Sequence, residues 1–165
     1  MNFRKIDINS SLIFFLIAHL IIWTLVPSIS NTNLPLDTIE ALAWGSDLDW
    51  GYNKHPPVSA WFVKGLFQIF GSQDWAYYFL SQLFVVSSFF IVYKFSEDFF
   101  KNRIFSLISI LLLEGIYFHN FTTPEFNVYV CQLPFRALTV YFCWKSFKNN
   151  DIQSWLLFGV FAALG

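Results

Sequence analysis

The sequence predicts an all-α protein: a polytopic transmembrane helical bundle with a long first outer loop that carries interfacial helices. The first observation is composition, since 56% of the 165 residues are hydrophobic, 22% are aromatic and only 13% are charged. These fractions lie outside the range of ordinary soluble domains. The second is a series of apolar stretches that approach the roughly 20 residues needed to cross a bilayer. The third is the placement of basic residues at alternate connections.

Five apolar stretches are the predicted spans. They cover about residues 11–29, 75–93, 104–118, 126–144 and 152–165. A signal peptide is an alternative for the first, but no convincing small-residue cleavage site follows it and more apolar stretches appear downstream, so we expect a retained helix. The fifth stretch reaches the end of the sequence. We therefore expect residues 1–165 to be the N-terminal portion of one transmembrane domain, inactive by itself.

The basic residues orient the predicted bundle. They are Arg4 and Lys5 before the first stretch, Lys94, Lys101 and Arg103 after the second, and Lys145 and Lys148 after the fourth. Because Lys and Arg concentrate in cytoplasmic connections, the N-terminus is predicted to be cytoplasmic. Residues 30–74 and 118–125 would then face the periplasm or an equivalent lumen, and we expect the membrane to be a bacterial inner membrane.

Charge and cysteine content exclude two other classes of function. A formal net charge of −1 provides no overall field to attract nucleic acid, so no nucleic-acid partner is expected. The two cysteines, Cys131 and Cys143, would be about 18 Å apart on one helix, beyond the reach of a disulfide. They are predicted to be core residues.

The outer loop, residues 30–74, is far longer than a helix connection requires, and such loops are commonly functional. Asp37 and Glu40 have the spacing of a helix N-cap and a carboxylate at the third helical position. Pro56-Pro57 can begin a second helix, whose apolar residues recur at three- and four-residue steps until Gly71. This second helix is predicted to lie in the membrane interface.

Three segments resemble a known family. They are Asp37-Thr38-Ile39-Glu40, the stretch from Trp50 to Gly71 with its Pro56-Pro57 pair, and Thr123-Pro124-Glu125-Phe126-Asn127 in the next outer turn. Their order and spacing resemble those of the family 39-like glycosyltransferases of the GT-C superfamily, which include protein O-mannosyltransferases and the lipid A aminoarabinose transferase. The resemblance covers most of the chain and implies a GT-C-like bundle.

The resemblance also implies a reaction. A sugar would move from a polyprenyl-phosphate carrier to a lipid, glycan or protein acceptor on the outer face, by an inverting displacement. The expected partners are this lipid-linked donor, the acceptor and membrane lipids. Such chemistry needs a base for the acceptor proton, and cations or a divalent metal ion to hold the departing phosphate.

Matched positions assign the candidate site residues. Asp37 matches the family's essential acid and would be the base, and Glu40 would lie on the same helical face and assist it. Lys54 and His55 would contact the donor phosphate. Glu125 would complete an acidic cluster, in which Asp37 and Glu125 could bind a metal.

The same residues also have purely structural interpretations. Asp37 and Glu40 could form only a capping box. Glu125 could only begin the fourth transmembrane helix, and Lys54 and His55 could be solvated loop residues.

Charged residues inside the predicted spans allow a second function. Each costs roughly 2.5 to 3.5 kcal/mol near the bilayer centre, so Arg136 and Glu114 should avoid lipid. Arg136 could bind the anionic donor from within the bundle, or it could pair with Glu114. A transporter or flippase-like protein, with this pair along its substrate path, is the alternative function, and a noncatalytic membrane subunit is a third. His19 is predicted to be a packing residue rather than a ligand.

Overall fold

The computed structural model describes residues 7–165, and within that range the protein is entirely helical. Seven α-helices are present there: α1 (Ile8–Ser30), α2 (Leu36–Gly45), α3 (Val58–Phe70), α4 (Asp74–Phe100), α5 (Arg103–Glu114), α6 (Val128–Asn149) and α7 (Ile152–Leu164). A short 3-10 helix, Tyr117–His119, follows α5. The predicted all-α class is confirmed. Arg4 and Lys5, which contributed to the predicted orientation, lie outside the described residues.

The helices differ in their ability to cross a membrane. Among residues 7–165, two helices, α1 and α4, are long and apolar enough to do so. Helix α5 has 12 residues and is about 18 Å long, against the roughly 30 Å of a bilayer core. It ends at Glu114, short of residue 118, because Gly115 caps it and the chain then turns into the 3-10 helix.

Helix α4 is the centre of the bundle. It packs against α1, α5 and α6, whereas α7 packs against α6. Its buried residues include Tyr77, Val85 and Phe89, each at most 1% exposed. The same core continues through Ile110 of α5 and Val130 of α6. A helix that buries residues on several sides is expected at the middle of a bundle, because neighbours cover it all round.

The bundle has two ends of different composition. We call one end the basic end. There the start of α1 lies beside the α4–α5 turn, since Asn9 and Arg103 line one cavity. The α6–α7 turn lies there too, because the ring centroids of Phe99 and Trp144 are 5.9 Å apart. The opposite end carries α2, α3 and residues 115–127, and we call it the loop end. Successive long helices therefore run antiparallel, as short connections in a bundle require.

Helices α2 and α3 form a hairpin at the loop end. Helix α3 begins directly after Pro57 and stops at Gly71, whose φ of 64° is the left-handed conformation that glycine tolerates best. Both signals were predicted from the sequence. At Gly45, a Cβ atom would lie 2.9 Å from the backbone oxygen of Ala60. The missing side chain therefore allows α2 to approach α3 closely.

Candidate functional site

Glu125 binds the N-terminus of α2. Its Oε1 accepts a hydrogen bond from the backbone N–H of Asp37 at 3.1 Å. One residue later, the Thr38 hydroxyl, which is 1% exposed, donates to the carbonyl oxygen of Phe126 at 3.2 Å. First-turn amides have no partner within their own helix, and the positive end of the helix dipole attracts a carboxylate. The turn before α6 thus fixes the start of α2.

The N-cap residues of α2 and α6 show that two structural interpretations from the sequence are wrong. Asp37 does not cap α2, because Pro35 occupies the N-cap position and Asp37 is already inside the first turn, with no side-chain cap bond. Glu125 does not begin α6. Asn127 caps that helix instead, through a hydrogen bond from the N–H of Val130 to its Oδ1 at 3.0 Å.

A crevice lies beside Asp37. Its polar lining consists of Asp37, Glu40, His55, Ser59 and Asn127, and Ala41, Trp44, Val128 and Tyr129 complete it. The members from α2 recur at three- and four-residue steps, so they share one face of that helix. The cavity volume is about 20 Å³, enough for about one water molecule. We call this feature the acidic crevice.

His55 lines the acidic crevice, whereas Lys54 is outside its lining and pairs with Glu40, which is part of it. Lys54 Nζ is 3.0 Å from Glu40 Oε2. The hydrogen bond and the charge of Glu40 raise the pKa of Lys54 above its usual 10.5, so the side chain is cationic at neutral pH. His55 is half-buried, with its ring 5.3 Å from that of Trp44 in an edge-on contact. Lys54 is therefore exposed but paired, and His55 is packed rather than freely solvated.

Arg136 is not part of the acidic crevice and does not pair with Glu114. It is exposed, and its guanidinium donates to Gln132 Oε1, one turn earlier on α6, at 2.6 Å. The alternative in which Arg136 pairs with Glu114 is wrong, because Arg136 contacts Gln132 and Glu114 contacts His19, and the two helices pack mainly against other elements. Helix α5 packs against α1 and α4, whereas α6 packs against α4 and α7.

Glu114 instead belongs to a buried polar cluster that sequence reasoning missed. His19 is 4% exposed, and its Nδ1 lies 2.7 Å from Glu114 Oε2, close enough for an ion pair although not aligned as a hydrogen bond. His19 Nε2 lies 3.0 Å from Gln82 Oε1. Gln82 in turn donates to the Thr123 hydroxyl at 3.5 Å. The cluster joins α1, α4 and α5 to the turn that carries Glu125.

The only sequence signal for this cluster is the isolated polar residue in an apolar helix. His19 and Gln82 each interrupt a long apolar stretch, and such residues avoid lipid by facing a partner. The sequence does not reveal which partner, because the two residues belong to different helices. Only the packing of α1 against α4 brings them together.

The described side chains would bind a metal ion only together with ligand atoms from a substrate. Among residues 7–165, no group of three or more His, Cys, Asp or Glu side chains is placed to hold one. Magnesium is commonly bound by one or two carboxylates together with substrate phosphates. Asp37 and Glu125 fit that smaller role, but Glu125 Oε1 is already engaged with the N-terminus of α2.

Comparison with known proteins gives one family. Residues 54–165, about two thirds of the chain, match the model of the dolichyl-phosphate-mannose-protein mannosyltransferases. The matched region contains Lys54, His55, Glu125 and Arg136, whereas Asp37 and Glu40 precede it. Neither a curated protein nor a solved structure matches the chain.

Proposed function

Because the chain belongs to the dolichyl-phosphate-mannose-protein mannosyltransferase family, we propose that it transfers a sugar from a polyprenyl-phosphate carrier at the acidic crevice. Membership makes it an integral membrane glycosyltransferase of the mannosyltransferase kind. The observation that carries the proposal is the hydrogen bond between Glu125 and the Asp37 amide. It joins the two acidic segments, which are far apart in sequence, at one end of the bundle.

Asp37 is the proposed base. Its carboxylate accepts the proton of an acceptor hydroxyl while the oxygen attacks the anomeric carbon of the donor sugar. The bond between that carbon and the phosphate oxygen breaks, and the polyprenyl phosphate leaves with the electron pair. Attack from the face opposite the phosphate inverts the configuration. Glu125 acts through α2 as a positioning residue, because it holds the turn that carries Asp37.

Lys54 and His55 are the proposed phosphate contacts. The departing phosphate gains negative charge as the glycosidic bond breaks, so a nearby cation stabilises the transition state. Lys54 pairs with Glu40, which lines the acidic crevice, and this pairing raises the pKa of Lys54 above its usual 10.5. Glu40 therefore assists the reaction by placing this cation. A divalent metal bound by Asp37 and Glu125 would supply further positive charge to the same phosphate.

The outer face of a bacterial inner membrane is the proposed location of transfer. Lys94, Lys101 and Arg103 lie at or beside the α4–α5 turn, at the end of the bundle opposite Asp37. Since such residues concentrate on the cytoplasmic side, the acidic crevice would face outward. The acceptor there is a lipid, a glycan or a protein that carries a free hydroxyl.

The transporter alternative loses the observation on which it depended. It required Arg136 and Glu114 to line one path, but these residues bind Gln132 and His19 instead. No other feature of the described residues favours it over sugar transfer.

The experiment that tests this proposal replaces the base. In membranes that contain the full-length parent protein, Asp37→Asn should lower transfer from a polyprenyl-phosphate mannose by about 10² to 10⁴-fold, the usual contribution of a general base. The matched control is Asp47→Asn, the same chemical change at an exposed position of the same loop, outside the lining of the acidic crevice. The control should transfer at the rate of the unmodified protein.

Retained transfer in Asp37→Asn, at an unchanged level of membrane insertion, would remove Asp37 from the mechanism. Equal loss in both variants would indicate a general effect of loop charge instead.

A further inference from the structure

A second concave surface lies on the other face of α3. One wall consists of Trp61, Lys64, Gly65 and Gln68 from α3, and the other of Leu48, Asp49 and Trp50 from the loop before it. The α3 members recur at three- and four-residue steps and so share one helical face. The volume is about 340 Å³, which is within the range of small-molecule sites. We call this surface the tryptophan groove.

Hydrogen bonds and a contact between two rings hold the walls of the tryptophan groove together. Trp61 Nε1 donates to the backbone oxygen of Asp49 at 3.1 Å, which ties the loop to α3. The carboxylate of Asp49 accepts from the N–H of Trp50 at 2.8 Å. The rings of Trp50 and Trp61 then meet edge to face, with centroids 5.4 Å apart. A preorganised surface binds a ligand with less loss of entropy than a disordered loop.

Gly65 keeps the floor of the groove open. A Cβ atom at this position would meet no other atom within 4 Å. Glycine is unfavourable inside a helix, and here no close backbone contact explains its presence, in contrast to Gly45. The absence of a side chain leaves space beside Trp61 and Lys64 that a ligand can occupy.

The lining identifies the class of ligand. Trp50 is 87% exposed, and an aromatic face is electron-rich, so it attracts the weakly positive C–H groups on one face of a sugar ring. Asp49, Lys64 and Gln68 supply acceptors and donors for hydroxyl groups. Since Asp49 and Lys64 carry opposite charges, the groove favours a neutral ligand. We propose that the tryptophan groove binds a neutral saccharide, as a remote subsite for the glycan part of the acceptor.

Membrane anchoring is the other use of exposed tryptophans, and the groove fits it less well. An anchor presents a protruding apolar tip, whereas these rings border a concave surface that also contains Asp49, Lys64 and Gln68. A carboxylate such as that of Asp49 is unfavourable among lipid tails. The lining therefore favours a hydroxyl-rich ligand in water.

The tryptophan groove is separate from the acidic crevice but connected to it. Ser59 lines the acidic crevice, and at about 100° per residue it lies on the side of α3 opposite Trp61 and Gln68. Tyr52 links the two surfaces, because its ring stacks on Trp44 while its hydroxyl accepts a hydrogen bond from the backbone N–H of Asp49 at 3.4 Å. The role in transfer rests on the proposed function, whereas saccharide binding does not.

The test fills the groove. In the detergent-solubilised protein, Gly65→Leu should weaken binding of mannobiose, measured by NMR titration, by about tenfold or more. Leucine is the better helix former, so α3 should remain intact. The matched control is Gly159→Leu in α7, where a Cβ atom also meets nothing within 4 Å. Trp50→Ala, which removes an exposed ring, should weaken binding as well.

Three outcomes would overturn the proposal: no mannobiose binding by the unmodified protein, equal affinity in both leucine variants, or unchanged affinity in Trp50→Ala. Asp37→Asn distinguishes failure of this proposal from failure of the proposed function, because this variant should lose transfer and keep mannobiose binding. In a transfer assay with a mannoside acceptor, Gly65→Leu should raise the acceptor KM and leave kcat unchanged, because the subsite is remote from the reacting atoms.

Discussion

At the scale of single residues, the three carboxylates of the proposed site have different contacts. One carboxylate oxygen of Glu125 accepts a hydrogen bond from the backbone N–H of Asp37, and Glu40 is paired with Lys54. Asp37 lies in the first turn of α2, where its side chain makes no cap bond. Of the three acids, Asp37 is therefore the one whose carboxylate is uncommitted to another described residue, as a base requires.

Glu125 offers the first prediction at this scale. Glu125→Ala leaves a first-turn amide of α2 without its partner, so the free energy of unfolding should fall by about 1 kcal/mol, as for loss of a helix cap. Transfer should fall too, because α2 positions Asp37. Glu125→Gln keeps an acceptor oxygen and should recover most of both losses. Thermal unfolding and transfer rate, measured on the same preparations, check this.

The conservative variant also separates positioning from metal binding. A glutamine with normal thermal stability but alanine-like transfer would mean that the charge of Glu125, rather than its hydrogen bond, is needed. Restoration of that transfer by added Mg²⁺ would then assign Glu125 to a metal.

Lys54 offers the second prediction. Lys54→Met removes the proposed phosphate cation and should raise the donor KM by about tenfold, since hydrogen bonds to charged groups are among the stronger ones. The control is Lys94→Met at the basic end, whose lysine is likewise exposed and ion-paired, with Glu97 at 2.9 Å. Because Glu40 raises the pKa of Lys54 above 10.5, Lys54 stays charged between about pH 6 and 9. The ratio of the donor KM of Lys54→Met to that of the unmodified protein should therefore stay constant over that range.

A donor KM that rises equally in both lysine variants would point to long-range charge rather than a contact. A ratio of the two donor KM values that changes near pH 7 would show that a group other than Lys54 causes the effect.

At the scale of helices, polar residues fix how the apolar helices pack. Shape alone allows α1 and α4 several alignments, since lipid tails are as apolar as the side chains. The contact between His19 and Gln82 selects one of them. Through Thr123, that alignment extends to the turn at the loop end. The buried cluster therefore sets where Glu125 meets α2.

Gln82 tests this role. Gln82→Leu leaves His19 and Thr123 without that partner, and the free energy of unfolding should fall by about 1 kcal/mol, in line with hydrogen bonds between membrane helices. Unfolding in mixed micelles measures it. Ser87→Ala, which removes a hydroxyl from an exposed position of the same helix, should have no such effect. Similar values for both variants would show that the cluster does not stabilise the bundle.

At the scale of the whole molecule, the alternating direction of the long helices places successive connections at opposite ends of the bundle. Antiparallel packing places the described cations of the α4–α5 turn at one end and both acidic segments at the other. The chain therefore needs no soluble domain to bring Asp37 and Glu125 together. It also places the hairpin of α2 and α3 at the loop end, where the proposed lipid-linked donor and its acceptor would meet.

Cysteine labelling checks the orientation. After replacement of Cys131 and Cys143 by alanine, Asp47→Cys at the loop end should react with a membrane-impermeant maleimide in intact cells. Lys101→Cys at the basic end, where the native side chain is 66% exposed, should react only after permeabilisation. The reverse pattern would place the acidic crevice in the cytoplasm and contradict transfer on the outer face.

The sequence by itself determined the helical class and the beginning and end of α3, because apolar runs, Pro57 and Gly71 act within a few residues of chain. Composition likewise indicated the membrane. Each of these properties depends on near neighbours, so no knowledge of packing was needed.

Only the tertiary structure decided which residues meet. It paired Glu114 with His19 instead of Arg136, and it turned Glu125 from a helix start into the partner of α2. Because a charge inside a membrane is costly, a residue such as Glu114 requires a polar partner. The order of residues in the sequence does not show which of several polar residues is that partner. Helix packing makes the choice, because it sets which faces come within hydrogen-bonding distance.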